Sequence, residues 1–360
     1  MATTVTKVVD PDSGAGYDYD SLFDWEAGEQ GDLTGVRDEI AVAKCRCTGG
    51  TADTTAFTID GWTTSATQYI KIWTDPTESY RHNGTYQTGN KYRLELSNAT
   101  GIINKELCVK IQGIQIALTG LTTGDLSAVL WNDAQANGFV FEFSSGIIRQ
   151  NSGSIAIRAY GIRHYFAGAS RTGNLYIYNN IIYGFTNSGA NGGQAISVAD
   201  TGTVSLYNNT LKDCDWGVYR TSGTVTIING LFSGCIIGDA SGTITDTYCA
   251  TSNNNTKGLT ALGTGNRFSQ TFTFVGAADF HLTVDDAGAR DYGDGSTVKA
   301  IFTDDIDGVA RPAVDLDWDI GADEYVSANQ NYSRDIAGAL ASIGAISRKA
   351  VQKRGIAGSV

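Results

Sequence analysis

The chain has 360 residues, a formal net charge of −12, 18% charged residues, 44 Gly and 3 Pro. Low charge with 17 Tyr, 13 Phe and 6 Trp excludes a disordered chain, and glycine without a three-residue period excludes collagen. The acidic balance argues against nucleic acid or an anionic membrane as partner, and no apolar run approaches the roughly 20 residues that span a bilayer.

The N-terminal stretch Met1-Ala-Thr-Thr-Val-Thr-Lys has no apolar signal core. A protein made in a cytoplasm, without a signal peptide, is expected. Next, Tyr17-Asp-Tyr-Asp-Ser-Leu-Phe-Asp-Trp-Glu-Ala-Gly-Glu-Gln predicts a short helix. Asp20 or Ser21 would cap it, and Leu22, Trp25 and Ala27 would form its packing face. Residues 1–38 thus read as an arm and a helix that shields the open edge of the first strand. That strand is expected at Glu39-Ile-Ala-Val-Ala-Lys-Cys.

The central third carries an internal repeat. Gly173-Asn-Leu-Tyr-Ile-Tyr-Asn-Asn-Ile-Ile, Gly202-Thr-Val-Ser-Leu-Tyr-Asn-Asn-Thr-Leu and Gly223-Thr-Val-Thr-Ile-Ile-Asn-Gly-Leu-Phe align without gaps. Gly242-Thr-Ile-Thr matches their start, and looser copies begin at Cys108 and Gly138. Leu175/Ile177, Val204/Leu206 and Val225/Ile227 alternate with polar or outward positions, as in half-buried strands. Asn179, Asn208 and Asn229 recur at the same place after each strand, and asparagine tolerates the left-handed backbone of a tight corner. A second apolar stretch comes next, at Ile182, Leu211 and Phe232.

Each unit therefore reads as strand, Asn corner, strand and variable loop. A unit of about 20–30 residues cannot bury its own apolar face, so copies must stack. The expected fold is all-β: a right-handed parallel β-helix over residues 39–272, with roughly ten coils and ~50 Å of length at the strand spacing. An antiparallel barrel or sandwich is the competing architecture, but its hairpins would not place Asn in a repeating register.

Six cysteines and three histidines (His82, His164, His281) form no zinc-ligand spacing. Cys214 and Cys235 lie equally far after their repeat glycines and should stack in adjacent coils, as reduced apolar side chains or as a disulfide. Tyr176 should point outward, and Tyr178 and Tyr207 share a register that suits a tyrosine stack or a sugar-binding ladder.

A β-helix polysaccharide hydrolase or lyase needs grouped carboxylates on the outer face of its coils. Asp213, Asp215 and Asp239, with Arg220 near, are the candidates, against the reading that they are solvated loop acids. Asp304, Asp305, Asp307, Asp315, Asp317 and Asp319 are candidates for holding calcium, with the last three on one strand face. The alternative there is a polar strand face with no ion.

Near the C-terminus, Ala278-Asp-Phe-His-Leu precedes Phe302-Thr-Asp-Asp-Ile-Asp-Gly-Val-Ala-Arg-Pro and Asp315-Leu-Asp-Trp-Asp-Ile-Gly-Ala-Asp-Glu-Tyr. Together these resemble the C-terminal cap of many bacterial and phage β-helix proteins of the pectate-lyase-like superfamily fold. Residues 273–326 would be the C-terminal cap of the solenoid. Residues 327–360 form a basic tail, in which Arg334-Asp-Ile-Ala-Gly-Ala-Leu and Arg354-Gly-Ile-Ala-Gly-Ser-Val are near-copies. This tail resembles repeats appended to structural proteins of tailed bacteriophages, and Arg334, Ile336, Leu340, Ile343, Arg348, Lys349 and Arg354 would serve assembly.

The resemblance implies a non-enzymatic structural protein of a tailed phage particle at the virion surface. A capsid decoration protein or head fibre is expected, trimeric, with the major capsid protein as partner and no cofactor. The alternative is a tail spike or adhesin that binds or cleaves host surface glycan.

Overall fold

The computed structural model describes residues 2–326, except 123, 133–136, 152–157, 166–171, 188–191, 262 and 316. Among the described residues the named strands pair only in parallel, and successive coils contribute to three sheets. The first sheet has nine strands: Thr3–Val9, Glu39–Cys45, Ile70–Trp73, Cys108–Gln112, Phe139–Ser144, Gly173–Tyr178, Thr203–Tyr207, Thr224–Ile228 and Thr245–Thr247. The second has seven, from Arg93–Ser97 through Gln115–Thr119, Ile147–Gln150, Ile181–Tyr183, Thr210–Lys212 and Leu231–Ser233 to Ala250–Thr251. The third also has seven: Phe57–Ile59, Ile102–Asn104, Leu126–Trp131, Ala159–His164, Gln194–Val198, Trp216–Arg220 and Gly238–Ser241. This is a parallel β-helix. Nine stacked strands span roughly 38 Å at the strand spacing, shorter than the expected rod.

The repeat register is the coil register. Leu175 pairs with Val204 and Val204 with Val225, while Ile177 pairs with Leu206 and Leu206 with Ile227. All six are buried, and each such side chain contributes about 1.5–3 kcal/mol of burial. The corner after the first sheet is a column of left-handed residues: Gly113, Ser145, Asn179, Asn208, Asn229 and Tyr248, with φ between 47° and 73°. The next residue in two coils, Asn180 and Asn209, turns inward. Asn180 Nδ2 donates to Asn209 Oδ1 at 3.0 Å and to the Phe143 carbonyl, and Asn209 Nδ2 donates to the Ile177 carbonyl.

The third strand of each coil lies where the sequence suggests only a variable loop. Its composition disguises it, because it carries small residues where it nears the second sheet. A Cβ at Gly161 would stand 2.5 Å from the Ala195 carbonyl oxygen, and one at Gly217 2.6 Å from that of Asp239. The chain approaches itself too closely there for a larger side chain.

The first strand also precedes its expected place. Thr3–Val9 pairs along its whole length with Glu39–Cys45, so the N-terminal arm is itself the edge of the first sheet. The helix runs over Leu22–Glu29 with Ser21 as N-cap, its Oγ accepting from Asp24 N at 3.0 Å. Leu22 and Trp25 enter the core beside Phe57, Ile59 and Trp62, and the rings of Trp25 and Trp62 stack at 5.5 Å. Ala27 is exposed and Glu26 is buried in its stead. Both oxygens of Glu26 accept from Trp62 Nε1, which holds the carboxylate under the helix.

All six cysteines are free and buried. Cys214 and Cys235 come after the paired strands ending at Lys212 and Ser233, so they occupy one register as reduced thiols, in keeping with the apolar reading.

The segment 273–326 does not act as a lid on the last coil alone. It runs back along the solenoid over the corner between the first and second sheets, as a strap. Asp294 is bonded to Asn229, Asp319 to Asn208 and Asp304 to Asn179. Further along, the Ile306 carbonyl accepts from Arg81 at 3.2 Å. The body 1–324 is one unit, and Tyr325–Val360 is a second, almost all of it outside the described residues.

Candidate functional site

The candidate carboxylates Asp213, Asp215 and Asp239 are each engaged separately. Asp213 lies in a left-handed corner, its side chain half exposed and paired with Lys212. Asp215 does not face outward but is buried, where Oδ2 accepts from the backbone of Asn187 at 2.8 Å and Gly193 at 2.7 Å. Asp239 is fully buried, accepting from Thr251 Oγ1 and Asn253 Nδ2, and burial pushes its carboxyl up to about 6. Arg220 donates to the Gly223 carbonyl and closes a turn. Each group satisfies its own stretch of chain.

Of the six acids that are candidates for calcium, Asp307 stands beside His281 and Asp323, and the other five divide as follows. Asp305 is a turn staple: Oδ1 accepts from Asp307 N and Val309 N, and Oδ2 from Glu324 N. Asp304 contributes its carbonyl to Asn179. Asp315 pairs with Lys299, Asp317 is exposed, and Asp319 is buried with Oδ1 accepting from Asp291 N. The described residues between 315 and 319 belong to no strand, so these three acids share no strand face. The assembly residues Arg334, Ile336, Leu340, Ile343, Arg348, Lys349 and Arg354 lie outside the described residues.

The tyrosine register has a structural occupant. Tyr178, Tyr207 and Ile228 are buried under Val298, Phe302 and Trp318 of the strap. The Phe302 ring lies on Tyr178 with centroids 4.8 Å apart and planes 3° from parallel. Tyr178 also donates its hydroxyl to Glu142 at 2.5 Å. Tyr176 is partly buried beside this cluster. The row that suited sugars is the seat of the strap.

The strap's own hub is Arg311. Its guanidinium is fully buried, ion-paired with Glu324 at 2.9 Å. It also donates to the carbonyls of Asp304, Gly321 and Ala322 and to Asn179 Oδ1. Burial pushes the Glu324 carboxyl up to about 7, against the pull of Arg311.

Two further groupings are not assembled by the sequence motifs. One is a cluster of His281, Asp307 and Asp323, whose ligand-type atoms lie within 4.8 Å of one another. His281 Nδ1 stands 2.5 Å from Asp279 Oδ1, and Nε2 stands 3.5 Å from Asp307 Oδ2. The Asp307 carboxylate, outweighing burial and aided by Asp323 and Asp279, pushes the imidazole up to about 10. Burial in turn pushes Asp323 up to about 6. The pocket favours positive charge. The segment Asp279-Phe-His281 is visible in the sequence only as part of the cap resemblance.

The other feature lies on the outer face of the first sheet, towards its N-terminal strands. Thr4, Thr6, Ile40, Val42, Tyr69, Lys71 and Trp73 line a shallow groove of about 160 Å³. Lys71 Nζ sits 4.0 Å from the Trp73 ring centroid, and Lys110 Nζ 5.0 Å from that of Tyr69. Burial pulls the Lys71 ammonium below its ordinary value. The alternation Tyr69-Ile-Lys-Ile-Trp73, with Ile70 and Ile72 fully buried, is the signal that would have revealed this face.

No known protein family, curated protein or solved structure matches the chain.

Proposed function

We propose that this chain is a non-enzymatic structural component of a tailed bacteriophage particle, a capsid decoration protein or head fibre. The observation that carries this reading is the strap. A solenoid normally couples each coil only to its neighbours, whereas here one segment is bonded to the corners of successive coils at Asn179, Asn208 and Asn229. Such bracing suits a stiff projecting rod. The engagement of Asp215, Asp239 and Asp305 with their own chain also favours a mechanical role over a catalytic one. The basic near-copies beginning at Arg334 and Arg354 would supply the docking element, on the particle or between three copies of this chain.

Mass spectrometry of purified particles, with heads and tails separated, tests the reading. Recovery in heads at high copy is the expected result, and absence from both fractions overturns it. Deleting 329–360 should leave a folded solenoid that no longer assembles. Incorporation of the truncated chain at normal copy would refute the docking role of the tail.

A second reading, an adhesin for host surface glycan, has one supporting observation. Tyr69 and Trp73 with Lys71 offer an aromatic groove of the kind that stacks on sugar rings. Trp73→Ala should abolish retention on host glycan if that reading holds, and should leave particle incorporation untouched if the first does.

A further inference from the structure

We propose that His281, Asp307 and Asp323 form a binding site for one first-row divalent cation, zinc by preference, that clips the strap together. The site joins three separate turns of the strap, around residues 279–282, 305–309 and 323–324, beside the Arg81–Gly84 loop of the solenoid.

Three observations converge on an ion. The first is spacing. A charge-assisted N–H···O bond closes to about 2.7–2.9 Å, but His281 Nε2 and Asp307 Oδ2 stand 3.5 Å apart. Two donors each about 2.1 Å from a tetrahedral ion are about 3.4 Å from each other. The spacing that serves the ion pair in the absence of a metal also suits shared coordination of one ion. Asp323 completes a triangle whose atoms lie within 4.8 Å, the longest edge closing by about 1.4 Å on coordination.

The second observation is orientation. Asp279 Oδ1 faces His281 Nδ1 at 2.5 Å. A carboxylate that takes the Nδ1 proton fixes the ring and leaves Nε2 as the ligand, the outer-shell arrangement of many metal-bound imidazoles. Asp323 is held likewise, its Oδ2 accepting from Leu282 N at 2.6 Å. Gly84 packs against the imidazole, where a Cβ would lie 2.3 Å from Nε2.

The third is an orphan. Asp307 Oδ1 is shielded from solvent and has no hydrogen-bond partner. A shielded carboxylate oxygen without a donor is costly, and a cation that Asp307 binds through both of its oxygens supplies what Oδ1 lacks.

The donor set selects the ion. One imidazole nitrogen with two carboxylates suits zinc or a neighbouring first-row metal, while calcium takes six to eight oxygens. Three protein side chains leave one position for water. This inference stands apart from the assembly role, since it concerns how the strap is closed.

The experiment uses the full chain, stripped with a chelator and titrated with zinc, cobalt and calcium. One zinc per chain by elemental analysis, a raised Tm, and the absorption of tetrahedral cobalt are expected, with no calcium binding at matched concentration. Asp307→Asn and His281→Gln should each abolish cobalt absorption while far-UV circular dichroism is retained. Asp279→Asn, which touches no metal, should weaken binding about 10–100-fold. Failure of the stripped wild-type chain to bind zinc overturns the proposal, and so does stoichiometric binding that survives both Asp307→Asn and His281→Gln.

Discussion

The guanidinium of Arg311 donates to Oδ1 of Asn179 across 3.2 Å and 132 positions of sequence. One partner belongs to the strap and the other to the corner column of the solenoid, so a single side chain ties the last structural motif of the chain to its central repeat. The same arginine neutralises Glu324, and the pair is shielded from water.

Removing the arginine alone should therefore be severe. Arg311→Leu leaves Glu324 buried without its cation, at a cost of about 3–5 kcal/mol. Arg311→Lys recovers only part, because an ammonium cannot reproduce the planar fork that reaches several carbonyls at once. Replacing Arg311 and Glu324 together by Leu should be milder than Arg311→Leu alone. Urea unfolding of the three variants checks the ordering, and equal losses for the single and double changes would contradict it.

Asn229 serves two purposes that substitution can separate. Its backbone is left-handed at φ 57°. Its side chain accepts from Asp294 N and donates to the Asp294 carbonyl and to Asn208 Oδ1. Asn229→Gly keeps the backbone freedom and loses the bonds, for about 2–3 kcal/mol. Asn229→Ala loses both and should cost about 1 kcal/mol more. Equal stabilities of the Gly and Ala variants would show that the corner carries no left-handed requirement.

Phe302 tests the seat of the strap. Phe302→Ala removes the ring stacked on Tyr178 and should cost about 3 kcal/mol. The damage should be local: hydrogen exchange should quicken over 294–322 and around Tyr207, while the first coils keep their protection. Uniform loss of protection would mean that the strap and solenoid unfold only together.

Glu26 predicts a pH dependence. Burial pushes its carboxyl from 4.5 up to about 7, so the folded chain holds this proton more tightly than the unfolded one. Its stabilising contribution is fully present below about pH 4.5 and is lost as pH rises through 7, up to about 3 kcal/mol in all. Glu26→Gln should flatten this component of the slope between pH 5 and 8. An unchanged slope in thermal melts would assign it to other groups.

The fold is legible wherever the sequence repeats with its coils. Leu175, Val204 and Val225 stand in one register in the alignment and in the sheet, because stacking forces equivalent positions to share one environment. The third strand is not legible, since Gly161 and Gly217 are set by backbone approach and carry no alternating pattern. The sites mislead for a related reason. Asp213 and Asp215 flank Cys214, which suggests a shared outer face, but the left-handed backbone at Asp213 breaks that alternation and Asp215 turns inward. His281, Asp307 and Asp323 each lie in one of the three segments of the cap resemblance, but turns with no repeat bring them together, so spacing alone does not announce their proximity.

The strap also sets an order of events during synthesis. Tyr178, Tyr207 and Ile228 leave the ribosome well before Phe302 and Trp318, the residues that cover them. At about 5–20 residues per second, the interval between Tyr178 and Phe302 is on the order of ten seconds. A nascent chain whose coils stack within that time would leave Tyr178 and Tyr207 uncovered until Phe302 arrives. Neighbouring chains on one message, each at that stage, would find the same row on one another, so slowing translation through 230–300 should raise the yield of aggregates even though no residue of the finished protein has changed.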